Sequence, residues 1–265
     1  YKPAHTLVFC AMAAEEWGII DSKYDWSTGA YNQVFRVHPD WQGKVIADLN
    51  FELPAHAHNR QDAIRCTYEY ADFIRQFTDS LTVPKEAYPD GITVLSPIET
   101  WSDDFSMAIA GIPSTVNDFS AGPFMQNYYH SQYDNQDVYQ EAVYQFHHEC
   151  YLKLIMAIDR LVLPPMNFSN TMNAVADSIH ENALSFADSE QETLLQNLRT
   201  ATESARNIYK KICQINEEYA TLSDSAFRRN FRSKWEPVGL KLLKIFRKAQ
   251  DYLVRLNWQD EVIFP

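Results

Sequence analysis

The chain has 265 residues, 46% of them hydrophobic and 22% charged, and it carries a formal net charge of −12. This composition is typical of a globular protein with a sizeable core, and the acidic balance argues against nucleic acid as a partner. No apolar run approaches the roughly 20 residues of a membrane-spanning helix, so we predict no membrane span in this chain. The sequence does not decide in which compartment the protein works, although we slightly favour the extracellular space or the cell envelope.

The first apolar stretch, Leu7 to Met12, predicts a buried β-strand that ends shortly before two adjacent acidic residues, Glu15 and Glu16. Catalytic groups of open α/β sheets lie at the carboxyl ends of the strands. Because two neighbouring carboxylates repel each other, a cleft that contains both needs a compensating cation, and a metal ion meets that need. One glutamate would then bind the metal while the other acts as a general base. An exposed acidic turn is the alternative interpretation of this pair taken alone.

A second strand is predicted for Lys44–Leu53, where apolar and polar residues alternate up to Pro54. Glu52 lies at the carboxyl end of this strand, the same kind of position as the glutamate pair. It is therefore a second acidic candidate for a metal site. Asp48 is the alternative, although it lies further back in the strand.

The middle of the chain predicts an amphipathic helix over Gln61–Phe77 and a short strand over Gly91–Leu95. A further helix is predicted after the acidic pair Asp103 and Asp104. At least one of these two aspartates is expected to be the N-cap of that helix.

The last part of the chain predicts long helices, because apolar residues keep a helical period from Val138 onward. The predicted segments are Val138–Leu161, Asn170–Ala187, Glu190–Leu222 and Pro237–Trp258. The predicted fold class is therefore α/β, with a mixed β-sheet flanked by helices in residues 1–163. An all-helical domain is predicted for residues 164–265.

A third motif, Tyr129-His-Ser-Gln-Tyr-Asp134, follows the two acidic strand ends. Together with Glu15-Glu-Trp-Gly18 and Asn50-Phe-Glu52, it resembles the zinc-dependent aminopeptidase and glutamate carboxypeptidase family, which also contains the transferrin-receptor-like proteins. The resemblance implies the zinc-exopeptidase fold, a site for two zinc ions, and a peptide substrate that a metal-activated water hydrolyses. It also implies a homodimer formed through the helical domain.

The resemblance also assigns roles to individual residues of this sequence. Glu15 would be the general base, and Glu16, Glu52 and His130 would be zinc ligands. Tyr129 would donate a hydrogen bond to the oxyanion that forms on the scissile carbonyl.

Further implications concern the substrate and the completeness of the site. The resemblance places the loop of Asp103 and Asp104 near the substrate. Ser114–Asp118 contains no arginine, whereas the glutamate-selective branch has arginines there that bind a substrate carboxylate, so specificity for an acidic terminal residue is not expected. The family's remaining His and bridging Asp ligands precede the Glu-Glu pair, and an N-terminal segment of the same protein, ahead of Tyr1, is expected to supply them.

Two alternatives to a two-zinc peptidase stay open. The first is a catalytically inactive binding or assembly protein, as in the receptor branch of the family. The second is a peptidase that uses one metal or an ion other than zinc.

Overall fold

The computed structural model describes residues 2–17, 27–119, 122–179, 188–253, 255–257 and 261–263. The chain is a mixed α/β protein built around a four-stranded sheet. The strands of this sheet are β1 (Asp48–Asn50), β2 (Asp62–Cys66), β3 (Ile92–Leu95) and β4 (Ser114–Asn117), in the order β1-β4-β2-β3. β1 is parallel to β4 and β2 is parallel to β3, whereas β2 and β4 are antiparallel.

Eight α-helices surround and follow the sheet in the part of the chain that the structure describes. They are α1 (Thr28–Asn32), α2 (Ala71–Asp79), α3 (Asp103–Ile109), α4 (Pro123–Asn127), α5 (Glu141–Asp159), α6 (Phe168–Ser178), α7 (Asp188–Thr221) and α8 (Ser225–Leu253). A two-stranded pair, β5 (Arg255–Asn257) and β6 (Glu261–Ile263), follows α8. Within these elements no helix is both long and apolar enough to cross a membrane.

The two faces of β2 have different surroundings because successive side chains of a strand point to opposite sides. Ile64 and Cys66 are buried in the main hydrophobic core. Arg65 lies between them in sequence and lines a cavity on the other face. The alternation of β2 therefore separates the core of the protein from the cavity on the opposite face of the strand.

The main core is shared by the sheet, by α5 and by the two last helices. α5 buries a stripe at helical spacing that includes Val143, Phe146 and Leu154. Leu243 and Phe246 of α8 belong to the same cluster of buried residues. The segments predicted as sheet part and helical part thus contribute side chains to one continuous core.

A buried polar network attaches α5 to the start of β2. His147 is fully buried, and its Nδ1 lies 3.0 Å from the carbonyl oxygen of Pro54 while its Nε2 lies 3.0 Å from the hydroxyl of Tyr88. The same Nε2 is 3.4 Å from a carboxylate oxygen of Asp62. Because buried polar groups are costly without partners, this network fixes the rotation of α5 against the sheet.

The predicted strand over Leu7–Met12 is wrong. This segment has no regular secondary structure and pairs with none of the described strands, and Phe9 is 86% exposed. Its position is fixed at its ends instead. The backbone N–H groups of Ala4 and His5 donate to the carboxylate of Asp159, at 2.7–3.0 Å.

Two other predictions differ from the structure because strand pairing overrides local periodicity. The first half of the helix predicted over Gln61–Phe77 is β2, which lies between β3 and β4 and hydrogen-bonds to both. The strand predicted over Lys44–Leu53 is limited to β1. The strand over Gly91–Leu95 is confirmed, and long helices are present from Glu141 onward as α5 to α8. The helix predicted over Asn170–Ala187 ends at Ser178, and residues 180–187 lie outside the described part of the chain. The helix predicted over Pro237–Trp258 begins earlier, at Ser225, and ends at Leu253, because residues 255–257 form β5; Trp258 lies outside the described residues.

Candidate functional site

The glutamate pair lies in a tight turn that is attached to the start of α1. The N–H of Ser27 donates to the carbonyl oxygen of Glu15 at 2.7 Å, and the N–H of Thr28 donates to that of Trp17 at 3.0 Å. A Cβ on Gly29 would lie 2.0 Å from the carbonyl oxygen of Ala13, so only glycine permits this approach. These contacts place Glu15 and Glu16 without the predicted strand.

Glu52 is held by groups from two other segments and by Asn50, the last residue of β1. The side chain of Asn117, the last residue of β4, accepts from the N–H of Glu52 at 2.6 Å and donates to its carbonyl oxygen. The Glu52 carboxylate accepts from Asn50 Nδ2 at 2.6 Å and from the hydroxyl of Ser102. Both the backbone and the side chain of Glu52, which follows β1, are therefore held in place by hydrogen bonds.

Tyr129 and His130 lie in the loop that follows α4, and their rings stack with centroids 3.8 Å apart. The Tyr129 ring also packs near Phe119 and Phe124, at centroid distances of 5.7 and 6.1 Å. α4 begins after Gly122, whose φ is +110° and where a Cβ would lie 2.4 Å from the carbonyl oxygen of His58. This close approach fixes the start of the segment that carries the Tyr-His pair.

The structure brings the three predicted segments together. The carboxylate of Glu16 contacts Nε2 of His130, although each side chain is about half exposed. Burial and, to a smaller extent, the negative charges of Glu15, Glu16 and Glu52 together raise the pKa of Tyr129 to about 12. The phenol is therefore protonated across the physiological pH range and lies within electrostatic reach of all three glutamates.

Backbone strain is concentrated at this convergence. Among the described residues, the non-glycine residues with positive φ are Ala14 (62°), Ser27 (54°), Leu53 (43°) and His130 (55°). Ala14 precedes the glutamate pair, Leu53 follows Glu52, and Ser27 binds the backbone of Glu15. Left-handed conformations of such residues are uncommon and cluster at functional sites, which agrees with a functional role for this region.

The other acidic candidates, Asp103 and Asp104, are close enough to Glu52 to feel its charge. Ser102 is the N-cap of α3, so the prediction that Asp103 or Asp104 caps this helix is wrong; both belong to its first turn. Burial raises the pKa of Asp103 to about 6, with Glu52 adding to the effect. Asp104 is 1% exposed, and burial followed by the charges of Asp48 and Glu52 raises its pKa well above the usual value, against the smaller effect of hydrogen bonding.

Asp48, the alternative to Glu52, lies close to Asp103 and Asp104. Burial raises its pKa to about 7, and the nearby carboxylate of Asp103 adds to the shift. Its surroundings therefore favour the protonated acid, which is a poor metal ligand. Of the two candidates, Glu52 is the one whose charge acts on Tyr129.

A cavity of about 220 Å³ adjoins Tyr129 and His130. Its polar end contains residues that sequence reasoning missed, namely Arg65, Glu99, Asn117 and Asp118. Arg65 was not predicted as a site residue because its segment was predicted as a helix. A helix gave no reason to expect its side chain on a sheet that faces the loop after β4. An isolated Asn or Asp at a strand end carries no signal of its own in one sequence.

The donor types at the site suit zinc, which binds imidazole nitrogen and carboxylate oxygen. In the described part of the chain, however, no three His, Cys, Asp or Glu side chains are arranged as a group that could hold a metal ion. The Glu16 carboxylate and the His130 imidazole are in contact, and Glu52 is the third candidate nearby. The described residues thus fit part of a zinc site.

Comparison of the chain with protein-family models and with curated proteins gave no match.

Proposed function

We propose that this protein is a zinc-dependent exopeptidase, built on a sheet and helices of the zinc-exopeptidase type. The contact between Glu16 and His130 is the observation that carries the proposal. It joins two residues from distant motifs that the family resemblance assigns to metal binding. The proximity of Glu15, Glu52 and Tyr129 adds the acid–base and hydrogen-bonding groups that peptide hydrolysis requires.

Glu16, Glu52 and His130 are the residues that would hold zinc. When bound, zinc lowers the pKa of a water molecule and polarises the scissile carbonyl. Because zinc in proteins is usually four-coordinate, the proposal needs donors in addition to these three. The resemblance places them in a segment ahead of the glutamate pair.

Two residues of this chain would handle the proton and the charge. Glu15 would accept a proton on its carboxylate and deliver it to the leaving amine, a role that contributes roughly 100- to 10,000-fold in other enzymes. Tyr129 would donate its phenolic proton in a hydrogen bond to the oxyanion. The phenol is protonated at neutral pH, as this role requires.

The test combines metal analysis with hydrolysis of peptides that carry free or blocked termini. The protein tested is the full-length wild type, which includes the segment ahead of the glutamate pair that the proposal requires. Purified with zinc, it should retain the metal and cleave at one terminus. Glu15→Gln should keep zinc and lose turnover by about 100-fold or more, whereas Glu16→Gln should lose zinc. Glu86→Gln, at an exposed glutamate, is the control and should match wild type. A wild-type protein that binds no zinc and cleaves no peptide with zinc present would overturn the proposal.

A catalytically inactive binding or assembly protein is the second candidate. The observation that favours it is the lack of a complete three-donor group among the described side chains. The same metal analysis separates the two, because the inactive protein would hold no zinc in the wild-type form.

A further inference from the structure

The cavity beside Tyr129 has a shape and lining suited to one amino-acid side chain. Val116, Phe119, Met125 and the ring of Tyr129 provide apolar and aromatic walls. Trp101, which is 51% exposed, also lines it. With about 220 Å³ of space, the cavity can accept a long side chain from a peptide whose backbone lies over Tyr129 and His130.

The polar end of the cavity contains an arginine that is already occupied. Arg65 Nε and Nη2 donate to one carboxylate oxygen of Asp118, at 3.0 and 2.7 Å, and Nη1 donates to the carbonyl oxygen of Pro97 at 3.0 Å. Nη2 also lies 3.1 Å from Glu99. A guanidinium bound in this way has no free pair of parallel N–H groups for the carboxylate of a ligand. An acidic ligand could therefore not form a bidentate pair with Arg65.

The charge at this end is negative overall. Glu99 and Asp118 provide two carboxylates against the single guanidinium of Arg65. Asp118 is buried and bound to Arg65, whereas the side chain of Glu99 is 36% exposed and has one oxygen 3.1 Å from Arg65 Nη2. Glu99 is therefore the acidic group best placed to receive a positive charge that enters from solvent.

The aromatic walls favour the same class of ligand. A cation close to the face of Trp or Tyr is stabilised by the ring quadrupole, and Trp101 and Tyr129 both line the cavity. The aliphatic stem of Lys or Arg can pack on Val116 and Met125 while its charged end reaches the carboxylates. A neutral side chain of equal length would gain only the apolar contacts.

We infer that this cavity is a specificity pocket for a cationic side chain, Lys or Arg, of a peptide substrate, and that Glu99 is its specificity-determining residue. The inference rests on the proposed function, since it assigns the pocket to the residue next to the bond that is cleaved. It also extends the sequence-based expectation that an acidic terminal residue is not the substrate.

Binding without turnover provides the first test. Isothermal titration calorimetry of the full chain with N-acetyl-arginine amide and N-acetyl-norleucine amide isolates the side-chain charge. Arginine should bind more tightly by a factor of up to about five, the scale expected for a partly exposed ion pair. Glu99→Gln should remove this preference, and its fold should persist because Asp118 still pairs with Arg65. Glu99→Lys should reverse it in favour of N-acetyl-glutamate amide, and Glu86→Gln should retain the wild-type preference.

Turnover provides the second test. If the peptidase proposal holds, peptides with Lys or Arg next to the scissile bond should be cleaved with a higher kcat/KM than peptides with Leu, and Glu99→Gln should abolish the difference. Selective binding of the arginine ligand in a protein that hydrolyses nothing would overturn the proposed function and leave the cationic pocket standing. Equal binding of arginine and norleucine ligands, or a preference unaffected by Glu99→Gln, would overturn the pocket.

Discussion

The carboxylate of Glu16 contacts the imidazole Nε2 of His130 across the mouth of the candidate site. Glu16 lies in an N-terminal turn and His130 in the loop after α4, so neither belongs to the sheet. The two are placed by separate anchors: the start of α1 holds the turn, and the close approach of Gly122 to His58 holds the loop. The positions of Glu16 and His130 therefore depend on how these two segments are attached to the rest of the fold, more than on the ends of strands.

Tyr129→Phe should lower kcat by about 100- to 1,000-fold with little change in KM, because the variant loses a donor used mainly when the oxyanion forms. The ring stacked on His130 is retained, so the loop should keep its structure. Tyr128→Phe removes the neighbouring phenol and is the matched control. Peptide hydrolysis under steady-state conditions measures both. Equal losses in the two variants would contradict a role for the Tyr129 hydroxyl.

Asp159→Asn should loosen the N-terminal segment. In the wild type, one buried carboxylate accepts the backbone N–H groups of Ala4 and His5, and hydrogen bonds to a charged acceptor contribute about 1.5–3 kcal/mol. An amide offers a single, neutral oxygen, so hydrogen exchange over residues 6–17 should become faster. Hydrogen–deuterium exchange with mass spectrometry measures this. Asp40→Asn, at an exposed carboxylate, should leave exchange in that segment unchanged; a similar acceleration in both variants would contradict the anchor.

Gly122→Ala should destabilise the protein and displace the Tyr129–His130 loop. Its φ of +110° already disfavours a side chain, and the added Cβ would lie 2.4 Å from the carbonyl oxygen of His58. Gly91→Ala is a matched control, since Gly91 has a φ of +80° but no atom within 4 Å of the added Cβ. We expect a loss of about 1 kcal/mol for Gly91→Ala from backbone conformation alone, and roughly 3 kcal/mol or more for Gly122→Ala.

Urea unfolding gives both free energies, and binding of the cationic ligand to the neighbouring cavity reports on the loop. Gly122→Ala should weaken this binding whereas Gly91→Ala should not. Equal destabilisation by the two substitutions would show that the contact with His58 places no constraint on the loop.

The sequence predicted the α/β class, one short strand and the long helices, because those segments have strong and unambiguous periodicity. It failed for the first half of Gln61–Phe77, where the apolar spacing fits a helix but the chain forms β2 and hydrogen-bonds to both β3 and β4; the second half is helical, as predicted. It failed also for Leu7–Met12, since an apolar run becomes a strand only when a partner strand lies beside it. The sequence pattern within a segment carries no information about which strands lie beside it in the fold.

The candidate site was predictable to a different degree. The motifs that identified Glu16, Glu52 and His130 depend on residue type and order, and the structure places Glu16 against His130. The polar end of the cavity was not predictable, because Arg65, Glu99 and Asp118 come from separate strands and loops with no common spacing. Asp48 illustrates the same limit: its sequence position suits a ligand, but only the fold reveals the burial that raises its pKa to about 7.

Glu69 should make stability depend on pH, far from the candidate site. Its carboxyl group is 1% exposed and accepts a hydrogen bond from Thr171. Burial raises its pKa from 4.5 to about 7, against the smaller effect of that hydrogen bond. The folded state therefore holds the proton to higher pH than the unfolded state. The contribution of Glu69 to the free energy of unfolding is fully favourable below about pH 4.5, falls as the pH rises to about 7, and is constant above that.

Glu69→Gln should remove this dependence, because the amide cannot ionise and its oxygen can still accept from Thr171. Relative to wild type, the variant should gain up to about 3 kcal/mol between pH 4.5 and pH 8, the equivalent of the shift in pKa. Urea unfolding at pH 5, 6, 7 and 8 measures the difference. Other buried acids, such as Asp104, titrate in both proteins and cancel in the comparison. Glu86→Gln should follow wild type at every pH, and a wild-type-minus-variant difference that does not change with pH would show that Glu69 ionises alike in the folded and unfolded states.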